Sequence, residues 1–234
     1  MKERLDKFIA SQTALSRKEV QRAVKDKRVT LNGTTVKSAD VKIDAQLDSV
    51  ALDGAVITYK EHVYYMLNKP SGVVSATEDR VEKTVIDILP PELRRAGLFP
   101  AGRLDKDTTG LLIITDDGDY AHRMLSPNKH VVKSYTATLD KEPQADIVTA
   151  FARGVTLADG TVCKSAEARL IGGFDVSVEI SEGKYHQVKR MFAALGYHVE
   201  ALRRVRIGAL GLDESLGEGD YRELTPDEAM AVFG

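Results

Sequence analysis

The chain has 234 residues, 33 Lys and Arg against 35 Asp and Glu, and a formal net charge of −2. An apolar fraction of 43% and a charged fraction of 29% exclude disorder as the default, and no run of 18 apolar residues exists that could cross a membrane. The charge is unevenly placed: residues 1–42 hold 11 basic and 5 acidic side chains, a net of +6, and residues 43–234 hold 22 and 30, a net of −8.

Such asymmetry is the pattern of a basic binding module joined to a more acidic body. Residues 1–42 read as two short helices and a hairpin. Leu5, Phe8 and Ile9 recur at i, i+3 and i+4 on one face, with Lys2, Arg4 and Lys7 elsewhere. Ser16 and Glu19 form a capping box that opens a second helix, striped by Val20 and Val24 and ending near Lys27. Asn32-Gly33, between Val29-Thr30-Leu31 and Thr34-Thr35-Val36, signals a type I′ hairpin. Arg17, Lys18, Arg22, Lys25 and Arg28 lie in or beside the second helix and could form one positive surface for phosphates. A solvated amphipathic face explains the same composition. Residues 43–60, with Asp44, Asp48 and Asp53, close the module and lead into a linker.

From His62 the pattern mixes strand and helix. Val63–Asn68 reads as a strand stopped by Lys69-Pro70-Ser71-Gly72, and Thr84–Leu89 as a short helix stopped by Pro90-Pro91. Leu111–Thr115 is an apolar strand buried on both faces, and Val131–Leu139 another strand. Pro143–Arg153 reads as a helix closed by Gly154. Ala166–Leu170 and Phe174–Ile180 read as strands around Gly172-Gly173. Tyr185–Leu195 is a helix closed by Gly196, and Thr225–Phe233 a final one. Strands outnumber long helices and βαβ spacings are few. The expected fold is therefore α+β: a small N-terminal α/β module over residues 1–60 and a body over 61–234 on a mixed, mostly antiparallel sheet with flanking helices.

The N-terminus is charged through its first seven residues, which argues against a secretory signal. The single Cys163 forms no internal disulfide, and no clustered Cys and His supply a zinc framework. The expectation is a cytoplasmic protein with no metal and no cofactor.

Two stretches could carry chemistry. Gly102-Arg103-Leu104-Asp105-Lys106-Asp107-Thr108-Thr109-Gly110 places two carboxylates and two cations in a loop against a buried strand. A cation beside such a carboxylate keeps it ionised for nucleophilic, electrostatic or proton-transfer work. On spacing alone an Asx turn or an Arg103–Asp105 structural pair is favoured over catalysis. The second stretch, Glu182 to Met191, opens a helix after Gly183, and its Lys184, His186, Gln187, Lys189 and Arg190 suit phosphate and base contacts. Val188, Met191, Phe192 and Leu195 form its core-facing stripe. A lone His186 there is more often a satisfied polar residue than a ligand.

At these stretches the sequence resembles the pseudouridine synthases. PAGRLDKDTTGLLIITDDG (100–118) is similar to their signature loop and strand, and Asn68-Lys69-Pro70-Ser71-Gly72 to their NKPxG motif. EGKYHQVKRMFAALG and LRRVRIGALGL are similar to their later motifs. RLDKFIA, SRKEVQ and VTLNG resemble the S4 RNA-binding module fused to many of these enzymes. YHQVKRMFAA and the short S4 module favour the branch acting on small-subunit (16S) ribosomal RNA over the large-subunit enzymes.

The resemblance implies that Asp105 is the catalytic carboxylate. The reaction breaks the N1–C1′ bond of uridine, turns the base and rejoins it through C5. Tyr135, in KSYTATL, matches the residue that packs on the base and helps remove the C5 proton. Lys189 matches the basic partner of the catalytic carboxylate, Arg103 the residue that fills the space of the flipped uridine, and Leu202 an apolar wall. Lys69, His186 and Gln187 are expected to touch the substrate, and Asp107 to serve loop structure. Arg4, Arg17, Lys18, Arg22, Lys25 and Arg28 are the expected RNA anchors. The implied partner is ribosomal RNA, with a monomer as the default and no membrane. Arg103, Lys106, Lys184, Lys189 and Arg190 are expected to converge on the target. Two readings compete: a non-catalytic S4-type RNA-binding protein, and a glycosidase, which needs two carboxyls facing each other about 5–10 Å apart.

Overall fold

The computed structural model describes residues 2–234, which form two compact units. The first holds the chain up to Val63 together with Leu89–Leu98, and the second holds Tyr64–Ile88 with Phe99–Gly234. Among the described residues no helix is long and apolar enough to cross a membrane.

In the first unit β1 (Lys2–Arg4) leads directly into α1 (Leu5–Gln12), and α2 spans Arg17–Lys25. The capping box forms: the Ser16 N–H donates to Glu19 at 2.7 Å, and Ser16 Oγ accepts from the Glu19 N–H. Five strands follow, β2 (Val29–Leu31), β3 (Thr34–Thr35), β4 (Lys42–Asp44), β5 (Val50–Leu52) and β6 (Ala55–Val56). β1 pairs with β4, and the other four form a sheet in the order β3-β2-β5-β6. Asn32 and Gly33 both take positive φ, 49° and 79°, as a type I′ turn requires. Leu5, Phe8, Ile9, Val20 and Val24 meet Val29, Ile43 and Val50 in one core, so the apolar periodicity of both helices is spent on the sheet.

The second unit is built on β7 (Tyr64–Lys69), β8 (Phe99–Pro100), β9 (Thr109–Thr115), β10 (Lys133–Leu139), β11 (Glu167–Gly172), β12 (Asp175–Ile180), β13 (Val199–Ile207), β14 (Leu210–Gly211) and β15 (Tyr221–Glu223). Their order is β11-β12-β10-β13-β9-β7-β15, with β14 on β13 and β8 on β9. Every pairing is antiparallel except β9 with β13. Leu111 to Ile114 have no exposed surface, as the unbroken apolar run of β9 required. The helices are α3 (Gly118–Leu125), α4 (Asp146–Arg153), α5 (Gln187–Ala194) and α6 (Pro226–Ala231). Tyr120 and Met124 of α3 and Ala229 of α6 join Met66, Leu111, Ile113 and Ile207 in a core on one side of the sheet.

Three expected helices depart from the sequence reading, and α3 has no counterpart in it. Residues 84–89 form no helix: Asp87 accepts from both the N–H and the hydroxyl of Thr84 at 2.9 Å, which closes one local turn ahead of the prolines. Helix α4 begins at Asp146 instead of Pro143, and the Gln144 N–H ahead of it donates to the Tyr197 hydroxyl at 3.2 Å. Helix α5 begins at Gln187, because His186 is left-handed, with φ 46° and ψ 37°.

Candidate active site

The loop between β8 and β9 is held from beneath. The Ser75 hydroxyl donates to the Leu104 carbonyl at 2.9 Å and accepts the Leu104 N–H at 3.0 Å. The Gly72 N–H donates to the Lys106 carbonyl at 2.8 Å, so the turn after β7 also grips the loop. Lys69 has no exposed surface, and its ammonium donates to the carbonyls of Pro70 (3.0 Å), Lys106 (3.1 Å) and Thr108 (2.9 Å). Burial lowers its pKa to about 8, against the pull of Asp107 and Asp105.

Asp105 emerges from this loop into a cleft of about 970 Å³. Its floor is one face of the sheet. Lys133 and Tyr135 alternate on β10, Leu202 and Arg204 alternate on β13, and Tyr135 stands opposite Arg204 in the register. Its sides are residues 102–106 with Thr108 and the segment Ile180–Val188. His186 Nε2 lies 3.3 Å from Asp105 Oδ1, and Lys189 Nζ lies 3.5 Å from Oδ2. The left-handed turn at His186 is what lets that ring reach back over the loop. Its outer face stacks on Tyr185, centroids 3.8 Å apart, and Tyr185 is 75% exposed.

The cleft thus gathers Asp105, Tyr135, Arg103, Leu202 and His186, with Lys189 against the carboxylate. Arg103 is exposed there and forms no ion pair among the described residues. Three expectations are corrected. Lys69 cannot touch a substrate, because its three N–H bonds are all used on loop carbonyls. Gln187 is 4% exposed, and its amide is consumed by Glu182 (2.8 Å) and by the Lys184 N–H (2.9 Å), so it ties the 182–187 turn. Arg190 does not converge on the target. Its guanidinium turns to Asp159 at 2.5 Å and to the Tyr185 carbonyl.

Lys189 is shared, and its nearer partner is Asp107 at 2.6 Å. That hydrogen bond holds the exposed Asp107 carboxyl below the usual carboxylate range. Lys106 pairs with Glu82 at 2.8 Å and Lys184 with Glu182, while both line the cleft. The sequence reading passed over Ser75, Thr108, Lys133 and Arg204. Strand alternation was the available signal for two of them, since Lys133 lies two residues from Tyr135 and Arg204 two from Leu202.

In the first unit the basic residues divide into two sets. Asp6 is fully buried and accepts from Arg4 (3.1 and 3.0 Å) and Arg17 (2.9 Å). Burial alone would raise its carboxyl, but these hydrogen bonds outweigh it and hold the pKa at about 2. Arg28 is bidentate on Asp53, at 2.6 and 2.5 Å. Lys18 and Lys25 are exposed with no ion pair among the described residues, and Arg22 has only Asp26 at 3.9 Å.

Comparison with known proteins follows this division. Residues 63–194 match the family model described as RNA pseudouridylate synthase, and residues 3–47 match the S4 domain. The chain is 44% identical over 231 residues to the protein named Ribosomal small subunit pseudouridine synthase A of Escherichia coli (strain K12), covering 98% of this chain and 99% of that one. It is 43% identical over 229 residues, 96% of each chain, to the protein named Uncharacterized RNA pseudouridine synthase YtzG of Bacillus subtilis (strain 168). A solved structure described as a pseudouridylate synthase aligns with TM-score 0.70 and 41% identity, over 98% of this chain and 99% of that one.

Proposed function

The chain belongs to the RNA pseudouridylate synthase family, with an S4 domain ahead of the catalytic one, and from that premise we propose that it converts one uridine of small-subunit (16S) ribosomal RNA to pseudouridine with Asp105 as the catalytic carboxylate. The near full-length similarity to small-subunit enzymes supports the choice of RNA. The observation that carries the site assignment is the convergence of Asp105, Tyr135, Arg103 and Leu202 on one cleft.

The reaction cleaves N1–C1′, turns the uracil and joins C5 to C1′, with no net redox change. An ionised Asp105 acts on the sugar, by adding to C1′ or by taking the C2′ proton, with Lys189 and His186 standing beside its carboxylate. A uridine stacked in folded RNA must first be extruded, at a cost of a few kcal/mol. Arg103, exposed and without an ion pair among the described residues, is suited to occupy the vacated space, while Tyr135 and Leu202 provide the surfaces between which the base lies. Tyr135 also serves removal of the C5 proton. Lys18, Arg22 and Lys25 of the S4 domain supply phosphate contacts that offset extrusion. In this reading the chain works as a monomer in the cytoplasm, on ribosomal RNA or an assembling particle.

The reading as a binding module alone leaves the tethered Asp105 loop without a purpose. A glycosidase reading fares no better, because the adjacent carboxylates Asp105 and Asp107 share one lysine instead of facing each other across a bond. The test is pseudouridine mapping on 16S RNA from cells with and without the gene, with Asp105→Asn as complement. One site should vanish in the deletion and stay absent with the variant, whose turnover falls by at least about 10³-fold while RNA binding persists. Pseudouridine formation by Asp105→Asn would overturn the mechanism, and an unchanged map would overturn the choice of RNA.

A further inference from the structure

The floor of the cleft holds two cations that lack a counter-charge among the described residues. Arg204 is 5% exposed, and its Nε donates to the Leu111 carbonyl at 2.8 Å. Its Nη2 is buried with no hydrogen-bond partner, and it forms no ion pair among the described residues. Thr108 Oγ1, on the adjoining wall, is also buried without a partner. Lys133 donates to the carbonyls of Val131 (2.7 Å) and Met124 (3.3 Å), which leaves one of its three N–H bonds. Burial, and then the charge of Arg204, lowers the Lys133 pKa to about 8.

The carboxylates lining the same cleft are committed elsewhere. Asp105 faces His186 and Lys189, Glu182 holds Lys184 and Gln187, and Asp79 accepts the N–H groups of Val81 and Glu82. A buried guanidinium left without an anion is costly, and a neighbouring ammonium makes it more so. A neutral base carbonyl would satisfy one N–H and leave both charges uncompensated. An anionic oxygen accepts from both groups and neutralises them.

We propose that Lys133 and Arg204 form a phosphate subsite on the cleft floor that takes a backbone phosphate of the RNA beside the target uridine. This rests on the RNA-modifying reading of the same cleft. It makes β10 and β13 positioning strands, because one phosphate held on the floor fixes the sugar within reach of Asp105. The acidic body thereby grips RNA at a point hidden from its surface charge.

The test titrates the full chain with uridine 5′-monophosphate, uridine 3′-monophosphate, inorganic phosphate and uridine, following the Lys133 and Arg204 side-chain NMR signals. At least one monophosphate should bind about tenfold tighter than uridine, and Lys133→Gln should bring that ratio close to one. Lys133→Gln should also lower the salt slope of RNA binding by about one, which a purely structural lysine would not do. Arg204→Gln is a second variant, accepted only if its thermal unfolding remains cooperative. Equal binding of uridine and both monophosphates, no binding of any probe, or a ratio untouched by Lys133→Gln overturns the subsite. Binding of inorganic phosphate alone makes it a free-anion site and overturns its assignment to RNA. Pseudouridine formation is measured separately. A chain that binds monophosphate through Lys133 yet forms no pseudouridine refutes the enzyme reading and leaves the anion subsite standing.

Discussion

A β-carbon on Gly110 would overlap the carbonyl oxygen of Arg204 and stand 2.9 Å from its nitrogen, so the strand leaving the Asp105 loop lies pressed against the backbone of β13. Among the described residues this is the only parallel junction in the sheet, with Gly110 in register with Arg204 and Thr109 with Arg203. Gly110 also has φ +98°, a region that L side chains rarely adopt. Gly110→Ala is therefore expected to destabilise the protein by about 3 kcal/mol or more and to lower turnover with it. Urea melts and rate measurements on the same preparation check this. An unchanged melting midpoint would mean that the two strands are free to separate.

Lys69→Met should remove three hydrogen bonds from a charged donor, taking this donor from the Pro70 and Thr108 carbonyls and leaving that of Lys106 to the Gly72 N–H alone. A loss of about 2–4 kcal/mol of stability is expected, with reduced turnover. The salt dependence of RNA binding should stay as it is, because this ammonium is never presented to solvent. A shallower salt slope would show that Lys69 meets phosphate after all.

Asp6 should make the first unit acid-sensitive. Its folded pKa of about 2 lies below the ordinary 3.8, so over that interval the unfolded chain binds more protons than the folded one. The stability it contributes is complete above about pH 4 and is lost as pH falls through about 2. Asp6→Asn should flatten that part of the stability profile and cost about 1–3 kcal/mol near neutrality. Parallel slopes for both proteins between about pH 5 and 2.5 would contradict the pairing with Arg4 and Arg17.

The basic residues of the first unit should separate by assay. Replacing Lys18, Arg22 and Lys25 by Ala is expected to reduce the salt slope of RNA binding by about one for each phosphate these side chains neutralise, with little change in melting. Arg17→Ala should cost stability in addition, since it leaves buried Asp6 with one cation fewer. Equal melting and equal salt slopes in both variants would remove the distinction.

What the sequence revealed was local in origin. The Ser16–Glu19 box, the Asn32-Gly33 turn and the LLIIT strand each rest on neighbours a few residues apart, and each stands where it was read. The fold class was legible for the same reason, whereas Asp105 was singled out by the resemblance to the pseudouridine synthases, because its spacing alone favoured an Asx turn or a structural pair. The partner of a cation is decided by residues far along the chain. Lys69 chose carbonyls up to 39 positions away, Lys189 leaned toward Asp107, and Arg190 reached Asp159. No spacing in the sequence carries that information. Helix α3 escaped notice because its cap, Asp117 accepting from the Tyr120 N–H, sits in an Asp-Asp-Gly run that reads as a turn. The start of α5 was misplaced because nothing in the composition marks His186 as left-handed.

Leu89–Leu98 belongs to the first unit although the strand β7 precedes it in the chain. Within that segment Leu89 and Leu98 are buried, and Arg95 bonds the Lys60 and Glu61 carbonyls at 3.1 Å. The core that the helices and strands of this unit share draws on residues 5–57, all of which leave the ribosome before residue 89. The segment 89–98 is therefore a late addition to its own unit, made after β7 and before β9.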